Sequence, residues 1–279
     1  MNKPKINVLI LNWNGEGILN SCIESILTST YENYSITVID NGSEDNSIND
    51  IDKISNKINI IKTGKNLGYS KGYNFAFNKI KNQDDDYYFL LNNDTVINKD
   101  TLEMLYLSLK NFGYNNIYSP KIINSNNDLI WYAGGRMNPL TNLSYHIGIN
   151  SNEDIVKYKT SVTDFVSGCA MLIEKSLVDS LNGFNEAFNF YYEDIDLCLR
   201  AKKKANVKCI FVNDSKVYHK ISKSMGGRFS FTKIYYKIIS SIKFLYINNN
   251  FLMFIFYLLI NIIVLPFRFI FKILNLILS

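Results

Sequence analysis

INVLILNWNGEGILNSCIESILTSTYENYSITVIDNGS, residues 6–43, decides the fold. Residues 6–13 form a near-continuous apolar run, as in a strand buried on both faces. From about 15 to 28, Ile18, Leu19, Cys22, Ile23, Ile26 and Leu27 recur at helical spacing. Residues 35–40 are strand-like again and close on Asn41-Gly42-Ser43. A strand, a helix and a second strand predict a parallel pair joined by a right-handed crossover. Outward from there, 43–54 reads as a helix with a polar cap. Residues 58–62 give a third strand, 69–81 a helix, 87–91 a fourth strand and 98–111 another helix. The expectation is an α/β fold with a mostly parallel central sheet flanked by helices.

The stretch from about 112 to 165 is less regular. It holds Trp131, Gly134-Gly135, Pro139 and many asparagines, and predicts short strands and a mobile insertion. Order returns with a strand at 168–173, a helix at 193–205, and strands at 207–212 and 216–219. No internal repeat of solenoid or propeller period is present.

The 279 residues are 47% hydrophobic and 20% charged, which excludes a disordered chain; only 4 prolines and 14 glycines exclude collagen-like and linker-like readings. Cys22, Cys169, Cys198 and Cys209 stand singly, so neither a CxxC zinc site nor a disulfide framework is expected. Small buried thiols of a reducing compartment are the simple reading. No secretory h-region opens the chain, and a cytoplasmic location is expected.

Net charge is +5, from 30 basic and 25 acidic residues. Residues 226–279 hold Arg228, Lys233, Lys237, Lys243, Arg268 and Lys272 and no acid; removing these six leaves 24 basic against 25 acidic residues. The main body is therefore nearly neutral, which does not favour a nucleic-acid partner. The tail is basic and apolar. Residues 251–265 are interrupted only by Asn261, Pro266 follows, and 267–278 carry Arg268 and Lys272. A 15-residue helix rises about 22 Å, short of the ~30 Å hydrocarbon core. The tail reads as a single span through a kink, a hairpin or an interfacial helix at an anionic surface, with a soluble helix pair as the alternative.

In parallel α/β sheets, ligand sites lie at the carboxyl ends of the strands. Strand one ends in Asn12-Trp13-Asn14-Gly15 and strand two in Asp40-Asn41-Gly42-Ser43. Asn66 to Asn74 follows strand three, and strand four ends in Asn92-Asn93-Asp94-Thr95. Four polar, short-chained clusters in register predict one shared site. Each alone reads also as a turn or a cap. An exposed carboxylate at Asp94 suits a divalent cation carrying phosphate oxygens. Farther on, Glu193, Asp194 and Asp196 open a helix, where the macrodipole favours acids. Asp196 and Arg200 are i,i+4 neighbours and predict an ion pair. Glu193 and Asp194 remain for general-base work, or for simple charge complementarity. His219 ends a strand, and His146 is assigned no role. A P-loop and a dinucleotide fingerprint are absent.

Taken together, VLILNWNG, VIDNGSED, NLGYSKGYN, LLNNDT, VSGCAMLI, FYYEDIDLCLR and VYHKISKS resemble glycosyltransferase family 2, over about residues 5–225. The set is most similar to rhamnosyltransferase-like enzymes of bacterial cell-surface polysaccharide biosynthesis. The resemblance implies a GT-A fold for a catalytic domain at 1–225, followed by the apolar helical tail at 226–279. It implies an inverting, metal-dependent hexosyltransferase that moves a sugar from a nucleotide-diphosphate donor to a hydroxyl of a glycan or polyprenyl-linked glycan. Asn12, Asn14, Asp40, Asn66, Gly72, Asn92 and Asn93 would line the nucleotide. Asp94 holds the last place of the DXD position, whose first acid is missing here; with His219 it would bind Mg²⁺ or Mn²⁺. Asp194, beside Glu193, would be the catalytic base. Trp131 and neighbouring tyrosines would receive the acceptor, and the tail would hold the enzyme at the cytoplasmic face of the cell membrane. The missing acid leaves open a second reading, a non-catalytic nucleotide-sugar-binding or scaffold protein.

Overall fold

The computed structural model describes residues 3–49, 51, 54–138, 143–220, 231–248, 255 and 259. Its centre is a strand with apolar side chains on both faces, β1 (Ile6–Asn12). β2 (Tyr34–Asp40) pairs with it in parallel, and β3 (Ile58–Lys62) lies parallel outside β2. On the other side β1 pairs in parallel with β4 (Tyr87–Asn92). These strands end together: Asn12 is level with Asp40, and Leu11 with Asn92.

Beyond β4 the sheet turns mixed. β11 (Ala170–Glu174) runs antiparallel between β4 and β6 (Ile117–Asn124), β12 (Cys209–His219) is parallel to β6, and β10 (Ser161–Thr163) closes the edge. β5 (Thr95–Ile97) pairs with the end of β12, and β7 (Leu129–Tyr132) with β6. β8 (Gly135–Met137) and β9 (Ser144–His146) form a separate ribbon.

Alternation along β1 assigns its side chains to two cores. Val8 and Ile10 share one core with Ile23 and Ile26 of α1 (Leu19–Leu27) and with Leu102, Leu105 and Leu109 of α3 (Thr101–Phe112). Leu9 joins the opposite core. There α2 (Tyr69–Ile80) contributes Tyr73 and Phe77, α4 (Lys175–Leu181) Val178, and α5 (Glu193–Ala205) Leu197 and Ala201. α6 (Phe231–Ile247) adds Phe244. Each such Val, Leu, Ile or Phe side chain, fully buried, contributes about 1.5–3 kcal/mol relative to exposure. All four cysteines are free and buried.

Several elements differ from the sequence reading. Among the described residues of 43–54 there is no α-helix, only bends, turns and 3₁₀ geometry at Ile51. The cap-like side chains there are spent on cross-links: Ser43 Oγ meets Asn12 and Asn14, and Asp45 accepts from Glu16 N. The stretch 112–165 is not merely irregular, because β6 is a long, almost wholly buried strand of the main sheet. The two strands expected at 207–219 are one, with a register shift between Val212 and Lys216. The tail begins as part of the core: Phe244 and Leu245 are buried, and Ser240 Oγ donates to the Phe190 carbonyl. Among the described residues no helix is long and apolar enough to cross a membrane. The apolar run at 251–278 lies outside the described residues except for 255 and 259.

Candidate active site

Asn12, Asp40 and Asn92 end β1, β2 and β4, with Asn14, Asn93 and Asp94 just beyond and Asn66 after β3, whereas Gly72 lies inside α2 and faces the sheet. Asn12 is fully buried at the end of β1. Its Nδ2 donates to Ser43 Oγ and Ser47 Oγ, and its Oδ1 accepts from Asn93 Nδ2 at 2.7 Å. Gly15 lies against that bond; a Cβ there would stand 2.1 Å from Asn12 Oδ1 and 2.7 Å from Asn93 Nδ2. Asn14 takes φ +51°, which asparagine tolerates, and its Oδ1 accepts from Glu44 N. Asp40 Oδ1 accepts from Ser43 N and closes the turn after β2. Asn66 accepts from Gly68 N and from Asn41, which also receives Leu67 N. Gly72 faces the sheet, where an added Cβ would stand 2.8 Å from Leu11 Cδ1; it lets α2 approach β1. Asn92 hands its own N–H to the Cys169 carbonyl and its carbonyl to Thr95 Oγ1.

Asp94 and His219 meet across the strand ends, with Nε2 3.1 Å from Oδ1. The ladder fixes the approach: His219 is level with Thr95, and Lys220 N donates to the Asp94 carbonyl. Burial opposes a charge on His219, but Cys169 and the Asp94 carboxylate outweigh it and hold the imidazole well above its usual range. The edge of Trp131 packs on His219 with ring centres 5.2 Å apart. His146 braces the far side of Trp131, 4.5 Å between centres, and burial pulls its own pKa down to about 4.

Glu193 and Asp194 open α5. β11 is antiparallel to β4, so the residues before it return to the same edge, with Ala170 opposite Leu91. Gly168 N then donates to Asp194 Oδ2 at 2.9 Å, while Ile195 N donates to Oδ1 at 2.8 Å. The helix starts from two tyrosines in the left-handed region, Tyr191 at φ +66° and Tyr192 at φ +71°. Bulky residues there store about 1–3 kcal/mol each, a cost that concentrates at functional sites. Burial raises both carboxyls. Glu193, also repelled by Asp194, reaches about 8; its Oε2 is closed off with no hydrogen-bond partner. Asp194 has two backbone N–H donors to stabilise its charge. The two N–H donors favour charge on Asp194, so of the pair Glu193 is the member that keeps its proton more readily. Asp196 takes no part, being bound to Arg200 Nε at 2.6 Å.

Four contributors were given no holding role from sequence, although Ser43 stood in the strand-two cluster. Ser43 and Ser47 hold Asn12, Gly168 holds Asp194, and Tyr69 holds Gly168 through its carbonyl at 2.6 Å. The VSGC motif flagged Gly168 as a place, but nothing local reveals a partner on another helix. Trp13, between Asn12 and Asn14 in sequence, is 52% exposed.

This edge joins an asparagine lattice, a carboxylate–imidazole pair and a separately held carboxylate. Residues 7–181 match the glycosyl transferase family 2. The chain belongs to this family. It is 28% identical over 148 residues to the low-salt glycan biosynthesis hexosyltransferase Agl10 of Haloferax volcanii, covering 53% of this chain and 47% of that one. It is 27% identical to the rhamnosyltransferase WbbL of Escherichia coli (strain K12), covering 70% of this chain and 76% of WbbL. Among solved structures, GalNAc-T7 with UDP, GalNAc and Mn²⁺ superposes with TM-score 0.65 at 17% identity, over 78% of this chain and 44% of that one. S. aureus TarS 1–349 in complex with UDP-GlcNAc gives TM-score 0.59 at 16% identity, over 85% and 66%. These likenesses establish the GT-A glycosyltransferase fold. The chain spans about half the length of the Haloferax relative.

Proposed function

We propose that this family 2 enzyme transfers a hexose, rhamnose-like or other, from a nucleotide-diphosphate donor to a hydroxyl of a glycan or lipid-linked glycan, with inversion. The observation that carries the reading is the Asp194 carboxylate, held by Gly168 at the edge where Asp94 and His219 meet. Asp194 takes the acceptor proton as the hydroxyl attacks the face of the sugar opposite the diphosphate. Such a base contributes about 10²–10⁴ in rate. Glu193 beside it, which keeps its proton more readily, leaves the negative charge to Asp194.

A divalent ion fits this site. One carboxylate and one imidazole are few donors, and among the described residues no group of three His, Cys, Asp or Glu side chains gathers. Mg²⁺ and Mn²⁺ complete their shells with substrate phosphates and water, so Asp94 would be the first protein ligand, and His219 would join it only by giving up the proton it shares with that carboxylate. Bound there, the ion would neutralise charge developing on the diphosphate. Trp13 and the asparagine lattice would hold the nucleotide, and Trp131 would border the acceptor. One exposed side of α6 carries Tyr235, Lys243 and Tyr246. With the acid-free sequence after it, this fits attachment to an anionic membrane surface at the cytoplasmic face.

The test is release of nucleoside diphosphate from a panel of sugar nucleotides with a glycan acceptor. Asp194→Asn is expected to abolish turnover and keep nucleotide binding. Unchanged turnover in that variant rejects the assignment.

A further inference from the structure

We propose that Tyr69 is a positioning residue for the base, acting by fixing the backbone of Gly168. The inference rests on the proposed role of Asp194. The Tyr69 hydroxyl donates to the Gly168 carbonyl at 2.6 Å, and the N–H of the same residue donates to Asp194 Oδ2 at 2.9 Å. Gly168 has no side chain with which to be steered, and a Cβ would have no room: Tyr69 Oη would lie 2.8 Å away and Asp194 Cβ 3.4 Å away. The residue is thus clamped between α2 and α5, on donors from one side and a carboxylate on the other.

Tyr69 is itself rigid. It packs edge-on to Tyr73 at 4.8 Å and to Phe184 at 5.5 Å. Burial, together with Tyr73, Glu193 and Asp194, raises its hydroxyl well above the usual phenol range, so it stays a donor. The carbonyl belongs to the 168–169 peptide and the N–H to the 167–168 peptide, joined at the Gly168 Cα, so the phenol acts by orientation. It fixes the backbone of a residue with no side chain to restrain it, and with it the direction of the N–H offered to Asp194. Tyr69 lies in the same NLGYSKGYN segment that lines the nucleotide side of the edge, so the donor-side helix sets the aim of the base.

Tyr69→Phe removes only the hydroxyl. The ionisable groups around Asp194 remain in place: Glu193 on its own helix, Cys198 one turn on, and Tyr132 from β7. Two readouts separate positioning from bulk stability. The first is steady-state kinetics: kcat is expected to fall on the order of tenfold, with donor KM unchanged. The second needs no turnover. The Gly168 amide resonance reports ionisation of Asp194 during a pH titration, and its midpoint is expected to rise in Tyr69→Phe. A wild-type kcat with an unmoved midpoint overturns the proposal, whatever the change in melting temperature. Should wild type and Asp194→Asn turn over alike, the reading of Asp194 fails, while the amide titration still decides the link from Tyr69.

Discussion

His219 Nε2 stands 3.1 Å from Asp94 Oδ1, and each belongs to a strand end that the other's backbone ties down. The pair is built by the ladder between β5 and β12, so the missing first acid of the DXD position does not dissolve it. Chelation is expected to stop turnover, and Mn²⁺ or Mg²⁺ to restore it. Asp94→Asn should raise the metal concentration needed and lower kcat by about 10²–10³, the scale of a lost electrostatic contact in the transition state. Full activity in the presence of excess chelator would remove the ion from the account.

Glu193 predicts a pH dependence of stability. An unfolded glutamate loses its proton near pH 4.5, whereas the folded group holds it to about 8. Between these values the folded chain binds the extra proton, so stability falls as pH rises. The contribution is whole below pH 4.5 and lost as pH passes 8. Glu193→Gln keeps the shape without the charge. Its melting temperature should depend less on pH between about 4.5 and 8, and exceed wild type at the alkaline end. Parallel melting curves of the two proteins would show that the carboxyl is not held neutral.

Gly15 carries a prediction about the asparagine lattice. An alanine there would meet Asn12 Oδ1 at 2.1 Å, and Asn12 is pinned by Ser43, Ser47 and Asn93. The amide must rotate and forfeit the Asn93 bond. Overpacking costs about 1–3 kcal/mol and an orphaned buried amide a comparable amount. Gly15→Ala should lower the unfolding free energy by about 2–4 kcal/mol and weaken nucleotide binding at least tenfold. Calorimetric titration with nucleoside diphosphates reads the second effect directly.

What the sequence showed and hid follows from where each signal resides. The parallel half was legible because β1, β2 and β4 are apolar on both faces and end in polar clusters, a local pattern. β6 was hidden by Pro120 and Lys121 in its middle, residues that argue against a central strand. Lys121 is tolerated because Glu153, from a loop far along the chain, meets it at 3.0 Å and Lys216 at 2.9 Å. The expected helix after Ser43 failed for the same reason, since the hydroxyl that would cap it is claimed by Asn12 and Asn14. At the site, Asp194 was legible as an acid at a helix start. Its donors from Gly168 and Tyr69 come from other elements and leave no mark beside it.

Helix α6 separates two roles that the tail appeared to combine in the sequence. Phe244 rests on Tyr192 with ring centres 5.1 Å apart, and Ser240 holds the Phe190 carbonyl at 2.6 Å. Tyr192 is the left-handed residue from which Glu193 and Asp194 start, so α6 braces the base from behind. A chain cut after residue 225 loses Phe244 and Leu245 from the core, about 1.5–3 kcal/mol for each side chain. It is expected to lose turnover as well as stability. A chain cut after Asn248 keeps the brace and removes the apolar run at 251–278. It should retain diphosphate release on a soluble acceptor while leaving the membrane fraction on sedimentation. If the longer chain still sediments with membranes, attachment resides in the catalytic domain or α6. If the shorter chain works at the wild-type rate, the brace is dispensable and the strained tyrosines are held by α5 and the preceding loop alone.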